Sequence, residues 1–303
     1  MSERAEKQNR RGLMYWLNRP IGEVFAHATG AAEDKARIAP APEKHAGGGA
    51  GSLADRLVDE GEIGRGGMGQ VHRVYDKTLM RRVAMKILDP RRLQKQSQLQ
   101  RFAEEAQITG QLDHPNIPPV HEFGVDEEGT HYFTMKLVKG RTLDDILADP
   151  SFSPANEKEL FSVLQIFVKV CQAISFAHSR GVIHCDLKPS NVMVGSHGQV
   201  YVMDWGIARI VGRARPSGAD EAWVEVRRTE RAADEEEEGN SDQAKIVGTL
   251  QYMSPEQAQG RTQDIDESTD VFCLGAMLYK ILTGRRESAG RKQVETFMAA
   301  ARA

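Results

Sequence analysis

Cysteine is scarce in this chain, with three among 303 residues: Cys171, Cys185 and Cys273. They stand far apart without metal-ligand spacing, which argues against a disulfide framework or a thiolate metal site and suits unpaired thiols in a reducing compartment. An excess of one charge is missing too. Forty Lys and Arg face 43 Asp and Glu, for a net charge of −3, so no bulk basicity argues for nucleic acid as a partner. The N-terminal MSERAEKQNRRGLMYWLNRP lacks the apolar core of a secretion signal. The longest apolar stretch, Val271 to Leu282, is interrupted by Gly275 and Lys280 and is too short to span a bilayer. The expectation is a cytoplasmic chain with no membrane segment.

What is present is enough apolar residue, 40% of the chain, to bury the core of one large domain or two lobes, with an ordinary 27% charged. Residues 1–55 mix charge with Ala, Gly and Pro and end in Pro40-Ala-Pro42 and Gly47-Gly-Gly-Ala-Gly51. This is linker composition with little to bury, and it predicts a disordered arm. Four apolar residues around Met14 to Leu17 could form a short helix, weak grounds for docking in an otherwise polar segment.

Order is expected from Leu57. Gly64-Arg-Gly66-Gly67-Met-Gly69-Gln-Val71 leads into a strand-like Val71-His-Arg-Val-Tyr75 and then Arg82-Val-Ala-Met-Lys86-Ile-Leu88. A glycine triplet allows a backbone to approach phosphates, but a dinucleotide-binding turn would need a helix next and an acid about twenty residues on. Strand residues follow instead, and Lys86 sits inside an apolar run where a lysine needs a partner. Leu99 to Leu112 has helical apolar spacing and stops before Pro115, and it carries Glu104 and Glu105. Standing alone those two acids would read as a solvated helix face.

His131 to Val138 reads as a strand ending at the Lys139-Gly140 turn, and Glu157 to His178 as a helix apolar enough around its circumference to be buried, capped by Gly181. Next comes the densest chemistry of the chain, Gly181-Val-Ile-His184-Cys185-Asp186-Leu-Lys188-Pro-Ser-Asn191-Val-Met193. The strands Val192 to Val194 and Val200 to Met203 flank a Gly195-Ser-His-Gly198 turn and lead to Asp204-Trp205-Gly206. Asp204 to Glu256 is long for a structureless loop and holds the acidic run Asp234 to Glu238, so a disordered insert over about 213–245 is expected. Val247-Gly-Thr249-Leu-Gln-Tyr252-Met-Ser254-Pro255-Glu256 and a buried helix from Asp270 to Gly284 complete the sequence pattern.

In this order and spacing the segments resemble the protein kinase family, bacterial eukaryotic-like serine/threonine kinases in particular, with His-Cys-Asp in place of His-Arg-Asp and Asp-Trp-Gly in place of Asp-Phe-Gly. The resemblance implies an α+β, two-lobed kinase-like fold over 57–303, a β-rich N-lobe at 57–138 and a mostly helical C-lobe at 139–303. It implies ATP and Mg2+ as cofactors and protein Ser/Thr hydroxyls as acceptors. Asp186 would be the catalytic base, Lys188 and Asn191 its catalytic companions, and Asn191 and Asp204 the metal ligands. Ile63, Gly64, Arg65, Gly66, Gly67, Met68, Gly69, Gln70 and Val71 would cover the nucleotide. Lys86 would hold its phosphates, paired with Glu105, and Ala84, Met135 and Met193 would enclose the base, with Met135 as gatekeeper and Lys136 to Val138 as hinge. Asp270 would brace the catalytic loop, and Thr249 would belong to the substrate platform.

Lys188 and Thr249 favour Ser/Thr over Tyr. Few residues follow Gly284 where relatives continue through further helices, which predicts an incomplete C-lobe, a Glu256 without its usual arginine and apolar surface that a partner could cover. The alternative is a pseudokinase, a nucleotide-binding interaction module without turnover.

Overall fold

A computed structural model describes residues 53–66, 68–89, 96–211, 224, 226 and 251–284. The chain enters through a helical turn, α1 (Leu53–Arg56), and runs directly into β1 (Leu57–Arg65). Order therefore begins before Leu57. Leu53 packs beside the buried Leu57, Val74 and Val83, and Arg56 pairs with Glu122, so this end of the expected arm is held by packing and charge. The rest of that arm, Met14 to Leu17 included, lies outside the described residues.

β1, β2 (Gly69–Asp76), β3 (Arg81–Leu88), β4 (Val120–Val125) and β5 (His131–Lys136) form one antiparallel sheet in the order β1-β2-β3-β5-β4. β3 lies at its centre, which explains why a run rich in β-branched and apolar residues carries Lys86 there. Helix α2 (Gln96–Gln111) covers one face. Its Phe102 and Ala106 join Leu88 and Phe133 in a compact cluster, with the Phe102 and Phe133 rings 5.2 Å apart. The helix starts three residues earlier than the sequence pattern predicts.

The second lobe begins with β6 (Gly140–Thr142) and α3 (Leu143–Ala148), elements too short to stand out in the sequence. Thr142 and Asp145 form a reciprocal capping box at the start of α3. Helix α4 (Glu157–Ser179) buries Val163, Val170, Ala173, Ile174 and Ala177 against β7 (Val182–Ile183), β9 (Val200–Val202) and α6 (Glu267–Thr283). From α6 come Cys273, Met277 and Ile281. Each large apolar side chain removed from water in this cluster contributes about 1.5–3 kcal/mol before entropy is counted.

α4 is not buried all round, since Phe161 and Val168 are exposed. By length and composition it is apolar enough to cross a membrane, which singling out Val271 to Leu282 overlooks, but its inner face makes up the main core. Arg180 is its C-cap, and Gly181 follows with φ 74, the left-handed conformation that lets the chain turn into β7. α6 leaves Val271, Phe272, Tyr279 and Leu282 exposed.

A three-stranded sheet, β6-β8-β9, contains β8 (Val192–Gly195), and β10 (Arg209–Ile210) pairs with β7. A short helix, α5 (Pro255–Ala258), precedes α6. Most of the expected insert lies outside the described residues, but Val224 within it is buried in the main core, with its N–H on the Arg180 carbonyl at 3.3 Å. At that point the insert is anchored.

Candidate active site

The loop from Ile183 to Asn191 is shaped by hydrogen bonds that use nearly every polar group in it. His184 is fully buried. Its Nδ1 accepts from the Asp186 N–H at 3.1 Å, and its Nε2 donates to the Met203 carbonyl at 3.1 Å, a pattern that assigns the neutral Nε2–H tautomer. The ring lies tilted against Trp205, 4.5 Å away, and the indole N–H reaches the Val202 carbonyl. Trp205 is thus a core residue that ties the loop before it to the strand behind it.

Cys185 and Asp204 both adopt left-handed backbone, with φ of 65 and 63. Such values are uncommon for residues with side chains and are held by surrounding contacts. At Cys185 those contacts come from further along the chain. The Asp270 carboxylate accepts the N–H groups of His184 at 2.8 Å and Cys185 at 2.9 Å, and pairs with His178 Nε2 at 2.8 Å. Asp270 lies in the first turn of α6 and is fully buried, so it braces the loop as expected. The Cys185 thiol is buried, and burial, aided by the charge of Asp270, pushes it up to about 12. It is an unreactive filler at neutral pH.

A turn at Pro189–Asn191 folds the chain back so that Asn191 reaches Asp186. Asn191 Nδ2 donates to the Asp186 carbonyl at 2.9 Å and to Asp186 Oδ2 at 3.1 Å, while Lys188 Nζ donates to Oδ2 at 2.6 Å. Asp186 Oδ1 is buried and has no partner among the described residues. A buried carboxylate oxygen left unpaired is uncommon and calls for a functional account.

Across the cleft, Lys86 Nζ binds both Glu105 oxygens at 2.5 and 2.7 Å and stands 3.9 Å from Asp204 Oδ1. Burial would lower the Lys86 pKa, but the charges of Glu105 and Asp204 outweigh it and hold it above its ordinary value. Lys86 is therefore a fixed cation. Val71 lies opposite Lys86 in the sheet register, and Ala84 opposite Met135, which puts all four on one face. Met193 is on β8, opposite Tyr201.

The loop between β1 and β2 closes with the Gly66 N–H on the Gly69 carbonyl at 2.8 Å. A Cβ on Gly69 would sit 1.9 Å from the Ile87 carbonyl, so only glycine fits there. Ile63 is exposed, Arg65 pairs with Glu62, and Gly67 and Thr249 lie outside the described residues.

For a metal, Asp204 offers a half-exposed carboxylate and Asn191 an amide oxygen, its nitrogen being committed to Asp186. Mg2+ takes one or two protein oxygens and completes its shell with water and phosphate, so this donor pair fits Mg2+. No group of three His, Cys, Asp or Glu suited to a tighter site occurs among the described residues. A separate open cavity of about 300 Å³ near Arg141, Phe152 and Val163 shares no residue with this cleft.

Three residues that support the site were not expected from sequence. Gln257 Nε2 donates to the Cys185 carbonyl at 2.7 Å, Asn116 bridges to Val200 and Val202, and the Thr269 hydroxyl donates to Glu256. Glu256, expected to lack its usual arginine, thus has a hydroxyl partner on α6. Ser254-Pro-Glu-Gln257 is a capping-box pattern visible in the sequence, but its reach to residue 185 is not.

Comparison with known proteins points the same way. A sequence model of the protein kinase domain matches residues 57–303. Serine/threonine-protein kinase PknD of Protochlamydia amoebophila is 34% identical over 228 residues, 73% of this chain and 22% of that protein. PknB of Mycobacterium leprae is 36% identical over 245 residues, and PknB of Mycolicibacterium smegmatis 37% over 249; each match covers 80% of this chain and 35% of the relative. The chain thus spans between 22% and 35% of the length of these relatives.

Proposed function

The chain belongs to the protein kinase family, and from that premise we propose that it transfers the γ-phosphoryl group of ATP to Ser or Thr hydroxyls of protein substrates. The observation that carries the reading is the asymmetry of Asp186. Oδ2 is bonded to Lys188 and Asn191, whereas Oδ1 is buried and unpartnered. That oxygen is oriented by the fold with its lone pairs unspent, so a hydroxyl that reaches it on substrate binding would find a proton acceptor.

Lys188, 2.6 Å from Asp186, supplies a positive charge next to the acceptor site, where negative charge builds up during transfer. Lys86, fixed by Glu105, orients the phosphates from the other wall, and the glycine loop shields them from water. Magnesium held by Asp204 and Asn191 would neutralise charge on the transferred group. Lys188, two residues past Asp186, supports Ser/Thr preference.

The test is transfer of radiolabel from ATP to a generic basic protein, with phosphoamino-acid analysis. The expected result is phosphoserine or phosphothreonine, with Asp186→Asn slower by about 10²- to 10⁴-fold. Nucleotide binding with no transfer by the wild-type chain would favour an interaction module instead.

A further inference from the structure

The catalytic loop contains one residue whose backbone conformation resists its own side chain. Cys185 has φ 65, and it directly precedes Asp186. Only glycine adopts this conformation without a steric cost. The carbonyl of Cys185 points toward α5 and accepts a hydrogen bond from Gln257 Nε2 at 2.7 Å. The amide of Gln257 is itself locked. Its Oε1 accepts from the Ser254 N–H at 3.1 Å and the Ser254 hydroxyl at 3.2 Å, which leaves Nε2 as the end facing Cys185. Ser254 is fully buried. On the other side of the same residue, the Cys185 N–H is bound by Asp270.

Cys185 is therefore gripped at both ends of its backbone by side chains 72 and 85 residues further on. We propose that Gln257 is a positioning residue for catalysis: its amide holds the Cys185 carbonyl so that the strained backbone presents Asp186 to the acceptor hydroxyl. The inference rests on the kinase reading above and deepens it. Gln257 touches no reacting atom. It ties the segment that follows the substrate platform to the base, so displacement of α5 would disturb Asp186 first.

Gln257→Glu isolates this contact. Glutamate at this position keeps the capping box with Ser254, because its oxygens accept the same two hydrogen bonds, but it has no N–H to give to the Cys185 carbonyl. In the wild-type background Gln257→Glu is expected to lower kcat by about 10- to 100-fold, as a misplacement of the base by a fraction of an ångström would. The KM for ATP should stay within about twofold, since no nucleotide-facing group has changed. Cys185→Gly removes the steric cost of φ 65. The double variant Cys185→Gly, Gln257→Glu should recover about tenfold in kcat over Gln257→Glu alone, a non-additivity that general destabilisation would not produce.

Alkylation of the thiols followed by peptide mass spectrometry gives a readout that needs no turnover. Cys185 should become reactive in Gln257→Glu while the buried Cys273 stays protected. The proposal is overturned if kcat of Gln257→Glu lies within about threefold of wild type, if ATP KM rises in proportion to the loss, or if glycine at 185 brings no recovery. A wild-type chain without transfer would sink the kinase reading, and the alkylation result would still decide whether Gln257 holds Cys185.

Discussion

The two lobes hold their shares of the site by different means. In the N-lobe, Lys86 is set mainly by charge, through Glu105 of α2 and the more distant Asp204, with its ammonium 5.9 Å from the Phe133 ring, and α2 rests on the sheet through a small cluster around Phe102 and Phe133. In the C-lobe, the loop carrying Asp186 is fixed by hydrogen bonds with His184 and Asn191 of the loop itself, with Gln257 of α5 and with Asp270 of α6. One arrangement rests on one close ion pair and a weaker one, and the other is redundant. A site built this way has a rigid base and an adjustable phosphate anchor, because bistability belongs to elements with few contacts.

The sharpest test of that contrast is at Lys86. Lys86→Met should reduce transfer by about 10²-fold or more through loss of a preorganised charge. It also leaves Glu105, buried beside Phe102 and Ala106, without that cation, at a cost of about 3 kcal/mol. Glu105→Gln keeps a hydrogen-bond acceptor for Lys86 and should lose less. Steady-state kinetics and thermal melts measure both. Lys86→Met activity within about threefold of wild type would remove the phosphate anchor from the argument. The sign of the Lys86 shift adds a pH expectation: its pKa is raised by folding, so the pair's contribution is complete below the ordinary lysine value near 10.5 and is lost only as pH climbs through the higher folded value. Activity between pH 6 and 9 should show no step from this group.

A smaller effect on rate, but a larger one on the C-lobe's cohesion, is expected at Asp270. Asp270→Ala strands the buried N–H groups of His184 and Cys185, each costing about 1–3 kcal/mol. Melting should fall by roughly 5–10 °C. Asp270→Asn retains one oxygen and should lie between the two. If Asp270→Ala melted like wild type, the redundancy ascribed to this lobe would have no energetic basis.

The sequence made the N-lobe half of the contrast easy to see and the C-lobe half only partly so. Lys86 stands out as a cation in an apolar strand, and Glu105 as an acid on a helix at the right distance along the chain. The pairing needs only adjacency between β3 and α2. Asp186, Lys188 and Asn191 are also close in sequence, and a single turn brings them together. What holds Asp186 is not local. Asp270, 85 residues on, is expected only through the family resemblance; Gln257, 72 residues on, is not, because no periodicity or motif spacing encodes which carbonyl an amide will meet. Short elements escaped for another reason. β6 and α3 have three and six residues, too few for a period to show, although Thr142-Leu-Asp-Asp145 carries a cap signal. The full burial expected of α4 failed because apolar composition does not say which faces have neighbours, and Phe161 and Val168 have none that cover them among the described residues.

The mildest test lies at Glu256, where the C-lobe's network reaches the segment before α6. Burial pushes this carboxylate up, but hydrogen bonding, that of the Thr269 hydroxyl included, outweighs it and holds it below its ordinary value. A carboxylate whose folded pKa is depressed contributes stability that is present above the ordinary Glu range near 4.5 and is lost as pH falls through the folded value. Thr269 is fully buried, and Thr269→Val keeps its shape while removing the donor. At pH 7 the variant should be less stable by about 1 kcal/mol, the usual net worth of one hydrogen bond. As pH falls through the folded value of Glu256 the two proteins should converge, because the carboxyl becomes protonated and the charge-assisted part of the bond is gone. Denaturant melts at pH 7 and at a pH below the folded value of Glu256, located by titration, measure the difference directly. A destabilisation of the same size at both values would mean that Thr269 acts through packing, and that the network of the C-lobe stops at Asp270.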